Sequence, residues 1–414
     1  MKVPTNQEHA NSEIRRLAIF GGTPTFGEKL HVGRPNLGDR NRLLDRINKI
    51  LDNHWLTNNG PNVQEFESRV AELSDAKHCV AMCNATVALE IVIRALGLEG
   101  EVIVPSFTFI ATAHALQWQE ITPVFCDVDA KTHNLDPERV EQAITSRTTG
   151  IIGVHLWGRA CAVEALADLC ARRGLRLIFD AAHAFGCSHG QKMVGSFGDA
   201  EVFSFHATKF LNSFEGGAVV TNDDKLADKM RLMRNFGFAG YDHVVHLGTN
   251  GKMSEVCAAM GLTALESLDD FIALNYDNYR QYQMELSGLP GVYLLTYDET
   301  EKCNYQYIVL EIDDTITDIS RDDLLNILWA DNVVARRYFY PGCHRMEPYR
   351  SYFPQAGLLL PETERLTDRV LVLPTGTGVS SEDIKKLCGI IRTVVSNGAQ
   401  VTELLRQTTE RIAL

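Results

Sequence analysis

The chemistry-bearing residues of this 414-residue chain crowd into one stretch, Leu177 to Asp223, with FDAAHAFG at 179–186 and FSFHATKFLNSFEGG at 203–217. An apolar run ending at Phe179 delivers Asp180 at its carboxyl end. A second delivers Ser204, with Lys209 five residues further on. Sites in α/β sheets gather at strand carboxyl ends. A lysine alone in a turn is usually surface decoration, and a lone Asp180 would read as a helix cap or a structural salt bridge. Lys209, however, follows an apolar strand and is flanked by Phe205, Phe210 and Phe214, a setting that desolvates the ammonium and lowers its pKa. Such an amine can condense with an aldehyde, while a strand-end carboxylate holds a pyridine nitrogen protonated so that the ring accepts electrons. That pairing is what pyridoxal 5'-phosphate (PLP) requires.

The elements that must position these groups alternate. From about Asn84 onward, short apolar runs predict strands at 101–104, 123–127, 150–155, 175–179, 200–205 and 217–221. Between them lie helical spacings such as Val87, Ile91, Ala95 and Leu98, or Val163, Leu166, Leu169 and Cys170. This is an α/β pattern with a mostly parallel central sheet covered by helices on both faces. Past about Asp269 the texture changes: a polar helix at 275–285, a strand at 305–312, a helix at 321–329 and a final helix at 381–395, which suits a smaller C-terminal α+β domain. The expected division is an N-terminal segment 1–34, a large cofactor domain 35–270 and a small domain 271–414.

Composition narrows the function classes. With 40 basic against 53 acidic residues the formal charge is −13, which disfavours nucleic acid and anionic membrane surfaces as partners. The ten cysteines form no CxxC pair, so neither a zinc site nor a disulfide framework is indicated, and a reducing cytoplasm fits. The first twenty residues carry Lys2, Glu8, Glu13, Arg15 and Arg16, which argues against a signal peptide. The charge-free stretch 102–119 approaches membrane-span length but is broken by Pro105 and by polar residues including Ser106, Thr108, Thr112 and His114.

The chain resembles the DegT/StrS family of nucleotide-sugar aminotransferases, which are fold-type I PLP enzymes. The likeness runs from IFGGTP (19–24), WLTNNGP (55–61), NATVAL (84–89), VPSFTF (104–109), PVFCDVD (123–129), ITSRT (144–148) and VHLWG (154–158). It continues through DAAHAFG, SFHATK, EGGAVVTND (215–223) and GTNGKMSE (248–255) to YFYPGCHRMEPY (338–349). The resemblance implies that Lys209 is the Schiff-base lysine and proton shuttle, and that Asp180 salt-bridges the pyridine nitrogen. His183 stands where the family often has glutamine, near the phenolic oxygen, where its tautomer matters. Ser204 would contact the phosphate, and Phe109 would stack on the ring, although an aromatic after a strand is commonly core. NATVAL replaces the more usual serine-glycine-threonine turn. Ala85 and Thr86 would then offer backbone N–H groups to the phosphate, as the first turn of a helix can on physical grounds too; simple N-capping by Asn84 or Thr86 is the plainer reading. Asn250 would reach the cofactor phosphate of the neighbouring subunit, making a homodimer with shared sites, or it is simply a turn residue beside Gly248 and Gly251.

The implied reaction has two halves. Glutamate converts PLP to pyridoxamine phosphate, which then aminates a keto group on a nucleotide-linked sugar. Lys252, Arg337, Tyr340 and His344, with Arg336 as a weaker candidate, would bind the substrate diphosphate; the family commonly has arginine where Lys252 stands. The motif set is closest to the branch acting on TDP-4-keto-6-deoxyglucose, which favours amination at C4 over C3. A dehydratase of the same family would carry histidine in place of Lys209. A regulator of this fold would carry an added DNA-binding domain, for which the leader before Ile19 leaves no room.

Overall fold

A computed structural model describes residues 12–412. The start of the expected N-terminal segment, and half of the stretch read for a signal peptide, therefore lie outside the described residues. Seven strands form the central sheet: β1 (His78–Met82), β2 (Glu101–Pro105), β3 (Thr122–Cys126), β4 (Thr148–Val154), β5 (Arg176–Asp180), β6 (Ala200–Ser204) and β7 (Gly217–Thr221). Their spatial order is β1-β7-β6-β5-β4-β2-β3. β7 runs antiparallel to β1 and β6, and the remaining pairings are parallel. Six of the seven strands overlap the sequence expectations. β1 was not foreseen, because HCVAM is too short for its periodicity to separate strand from helix.

Both faces of the sheet are buried, as the parallel arrangement requires. On β6, Val202 faces one apolar cluster, shared with Val92 and Met230 of covering helices, while Phe203 faces another, shared with Phe66 and Leu262. The helix Ala85–Ala95 starts because Asn84 is extended and its Oδ1 accepts the Val87 N–H at 2.9 Å.

Behind the site, Glu201 on β6 is fully buried. It accepts N–H bonds from Gly195 and Phe197, both at 2.7 Å, and lies 3.1 Å from His155 Nε2. The other ring nitrogen, His155 Nδ1, accepts the Cys161 N–H at 3.0 Å, which places the imidazole proton on the side of Glu201. Truncating Glu201 to alanine strands three buried donors at once and is expected to cost about 3–5 kcal/mol of stability; a fall in the thermal unfolding midpoint measures it.

Beyond the large sheet, β8 (Val292–Leu294), β9 (Ile308–Ile312) and β10 (Val370–Leu373) form an antiparallel sheet with β9 central. Helices Leu268–Leu286, Arg321–Ala330 and Ser381–Ser396 lie against it. The expected strand 305–312 begins only at Ile308, because Tyr305 adopts φ 48° and Asn304 turns its Nδ2 to the carbonyls of His183 and Phe185. The helix ending at Ser396 is not the last one: Gly398–Ile412 follows. Helix Leu268–Leu286 also runs across the expected boundary between 270 and 271. The segment Leu30–His31 pairs in parallel with Val333–Val334, which ties the N-terminal stretch to the C-terminal part of the fold. Among the described residues no helix is long and apolar enough to cross a membrane, and no group of three or more His, Cys, Asp or Glu could hold a metal ion.

Candidate active site

A cavity of about 720 Å³ opens where β4, β5 and β6 end, and Val154, Asp180 and Ser204 reach it from those ends. Asp180 is buried. The Thr112 hydroxyl donates to Oδ2 at 2.8 Å and the Ala182 N–H donates to Oδ1 at 3.1 Å. Burial raises its pKa, while these two donors and Lys209 pull it down. Among the described residues no arginine or lysine pairs directly with this carboxylate, so the group is suited to a cation arriving from outside the chain.

Lys209 lies in the loop after β6, its backbone N–H bonded to the His206 carbonyl at 2.8 Å. Its Nζ donates to the Tyr307 hydroxyl at 3.4 Å. Burial lowers its pKa to about 8, against the opposing pull of Asp180. A fraction of the amine, far larger than for an ordinary lysine, is therefore uncharged near neutrality, the form that attacks a carbonyl.

His183 is buried on the cavity wall, and its Nδ1 accepts the Trp157 N–H at 3.4 Å. Burial, and secondarily the Lys209 charge, hold its pKa well below that of free histidine. The ring is therefore neutral with its proton on Nε2, the tautomer that can donate to an oxyanion. Trp157 stacks on it at 5.8 Å and Tyr307 packs beside it at 4.4 Å, which fixes its plane.

Ala85 and Thr86 also line the cavity. The first N–H groups of a helix have no intrahelical partner, and Asn84 takes only that of Val87. Gly217, at the start of β7, lies so close that a Cβ there would sit 2.5 Å from the backbone of Asn84 and Ala85, so only glycine lets the strand run against the helix start. Phe109 is 59% exposed into the opening and is not core.

The structure thus brings together Lys209, Asp180, His183, Ser204, Phe109, Ala85 and Thr86. Of the substrate contacts expected from the sequence, Arg336, the weaker candidate, lines this chain's cavity, and Lys252, Arg337, Tyr340 and His344 do not. Arg337 turns away to Asp322 at 3.0 Å and lies 4.1 Å over the Tyr340 ring. His344 is buried, with Nδ1 2.7 Å from the Ser106 hydroxyl and Nε2 2.6 Å from Glu364, so it braces β2 against helix Pro361–Arg369. Lys252 donates to Asn250 Oδ1 at 2.7 Å and caps the Phe236 ring at 4.8 Å; both residues lie outside this chain's cavity. The side chains that do face inward from 336–340 are Arg336, Tyr338 and Phe339. Tyr307, Trp157 and Thr112 were not singled out from the sequence. They contact the reactive groups through tertiary packing, and nothing in their local spacing announces it.

A buried lysine of lowered pKa, a strand-end carboxylate open to a cationic nitrogen, and a helix start open to a phosphate match the functional groups of PLP. With the doubly covered sheet they define a fold-type I PLP-dependent transferase. The profile of the DegT/DnrJ/EryC1/StrS aminotransferase family matches residues 38–392, and the chain belongs to that family; it is an aminotransferase and its cofactor is PLP. It is 36% identical over 367 residues to the dTDP-4-amino-4,6-dideoxy-D-glucose transaminase of Shigella dysenteriae, covering 88% of this chain and 99% of the relative. It is 32% identical over 366 residues to GDP-perosamine synthase of Vibrio cholerae, covering 87% and 98%. Among solved structures, DesI in the presence of its TDP-sugar product superposes with a TM-score of 0.92 at 50% identity, covering 95% of this chain and all of that one.

Proposed function

We propose that the protein transfers an amino group from L-glutamate to C4 of TDP-4-keto-6-deoxy-D-glucose, giving the 4-amino-4,6-dideoxy sugar. The observation that carries this reading is the 36% identity, over 99% of its length, to the Shigella dysenteriae dTDP-4-amino-4,6-dideoxy-D-glucose transaminase, supported by the 50% identity to DesI, solved with a TDP-sugar product, and by the reactive lysine, rather than histidine, in the site.

PLP, when bound, supplies an electron sink for the carbon that loses and gains the proton. The chain's residues do the rest. Lys209 Nζ takes the proton and returns it in both halves, and its depressed pKa keeps it able to do either near neutrality. The Tyr307 hydroxyl holds that amine when it is free. Asp180 would keep the ring nitrogen protonated, and Thr112 and Ala182 orient its carboxylate. His183 would donate from Nε2 to the phenolic oxygen. Ala85, Thr86 and Ser204 would receive the phosphate, and Phe109 would cover the ring face.

Two copies of the chain complete each site in this reading. Asn250 and Lys252 lie outside their own cavity beside an exposed apolar hairpin, Phe238–Val244, where Tyr241 is fully exposed. Such a surface suits burial against a partner, and Asn250 would then reach the partner's cofactor phosphate. Inactive Lys209→Ala and Asn250→Ala chains, mixed, should regain activity, because one mixed site carries neither change. The enzyme would work in the cytoplasm, where its substrates are made.

The decisive experiment supplies glutamate with TDP-4-keto-6-deoxyglucose and, separately, its 3-keto isomer, and identifies the aminated carbon by NMR. A C4 amine is expected. A product aminated at C3 would reverse the regiochemistry, and no amination of either sugar would overturn the substrate assignment.

A further inference from the structure

Two guanidinium groups line the cavity with no carboxylate of their own. Arg34 and Arg336 both reach it, and among the described residues neither takes part in an ion pair or a side-chain hydrogen bond. Their neighbours differ: Arg321 and Arg337 share Asp322, and Arg234 is held by Glu67 and Asn59. The cavity's acidic groups are otherwise engaged, Asp180 as described and Glu215 with His206 at 3.5 Å.

The fold carries the two arginines on neighbouring segments that lead into one cavity. Leu30 pairs with Val333 and His31 with Val334 in parallel register, and the Val32 N–H still reaches the Val334 carbonyl at 3.4 Å. The two chains leave this ladder together, one carrying Arg34 three residues past His31, the other carrying Arg336 two residues past Val334. Both side chains are steadied. The stem of Arg34 lies against the backbone at Gly378, where an added Cβ would meet its Cδ at 2.4 Å. Arg336 lies 5.5 Å over the ring of Tyr338, which neighbours Tyr307, the partner of Lys209.

A transaminase that works in two halves must admit two unlike molecules to one cavity in turn. An acidic amino acid and a sugar nucleotide share one feature, an anionic group several bonds from the reacting carbon. Arginine suits both, because its planar fork binds carboxylate and phosphate in two-point fashion. In a chain of charge −13, such local cations are what make an anion welcome. We propose that Arg34 and Arg336 form one anion subsite that receives the side-chain carboxylate of the amino donor and, in the other half-reaction, the diphosphate of the sugar nucleotide. The assignment rests on the transaminase reading above.

The test uses PLP-loaded Arg34→Gln and Arg336→Gln enzymes, with Arg336→Lys to restore charge without the fork. Conversion of bound PLP to its amine form is followed with glutamate and with alanine, which lacks the distal carboxylate, and the affinity for thymidine diphosphate alone is measured separately. Loss of a charge-assisted bond should both lower the glutamate-over-alanine rate ratio and weaken thymidine diphosphate, each by about 10- to 100-fold, with partial recovery in the lysine variant. A lowered ratio together with a weakened diphosphate upholds the shared subsite; a change in only one of them overturns the sharing and leaves the two arginines to that ligand alone. If neither the ratio nor the diphosphate affinity changes, whether the rates hold or fall together, the subsite is overturned. Failure of the unsubstituted enzyme to convert PLP with either donor would instead overturn the transaminase reading.

Discussion

Lys209→Ala is expected to abolish transamination. Loss of a positioned proton shuttle alone costs roughly 10²–10⁴-fold, and the same substitution removes the covalent anchor of the cofactor. The variant should still bind PLP, since Asp180, Ser204 and the helix start at Ala85 are untouched, but without the visible-edge absorption of a lysine-bound aldehyde. Colour that survives the substitution would show that another amine holds the cofactor. The depressed pKa of Lys209, about 8, adds a pH signature to the native enzyme. Only the free amine attacks the aldehyde, so PLP uptake by the cofactor-free protein should accelerate as pH rises through about 8 and level off above it. A lysine with an ordinary pKa would keep accelerating to higher pH.

Residues whose role follows from strand polarity were legible in the sequence. Asp180 and Ser204 are each the last residue of an apolar strand, and a parallel sheet sends all such ends to one edge. Lys209 followed from its aromatic flanks. What depended on a single-residue phase was not legible. Arg336 and Arg337 are adjacent and chemically identical, yet one faces the cavity and the other Asp322; the pairing of Val333–Val334 with Leu30–His31 and the antiparallel bridge of Arg336 with Val372 set that phase. The placement of His344 was not legible for a related reason. A histidine in a turn rich in Tyr and Pro looks available for a ligand, but its two nitrogens are taken by Ser106 and Glu364, more than two hundred residues and twenty residues away. Arg34 offered no local signal at all, since its importance comes from a strand of two residues.

Asp180→Asn carries the second large effect. The substitution keeps size and can keep the Ala182 N–H bond, so the fold should stand, but it removes the negative charge that holds the ring nitrogen protonated. Preorganised electrostatic groups of this kind are worth on the order of 10²–10³-fold in kcat, and the other carboxylate among the described residues lining the cavity, Glu215, is engaged with His206. Thr112→Val is the graded companion. The Thr112 hydroxyl lowers the Asp180 pKa against the burial that raises it; removing the hydroxyl lifts that pKa. Because the carboxylate must be ionised to work, activity falls as pH drops through its pKa, and in Thr112→Val this acid limb should move to higher pH with a loss of about tenfold or less. In Asp180→Asn the limb should vanish along with most of the rate. An Asp180→Asn enzyme that folds, binds PLP and turns over near the native rate would show that the pyridine nitrogen is held by some other group.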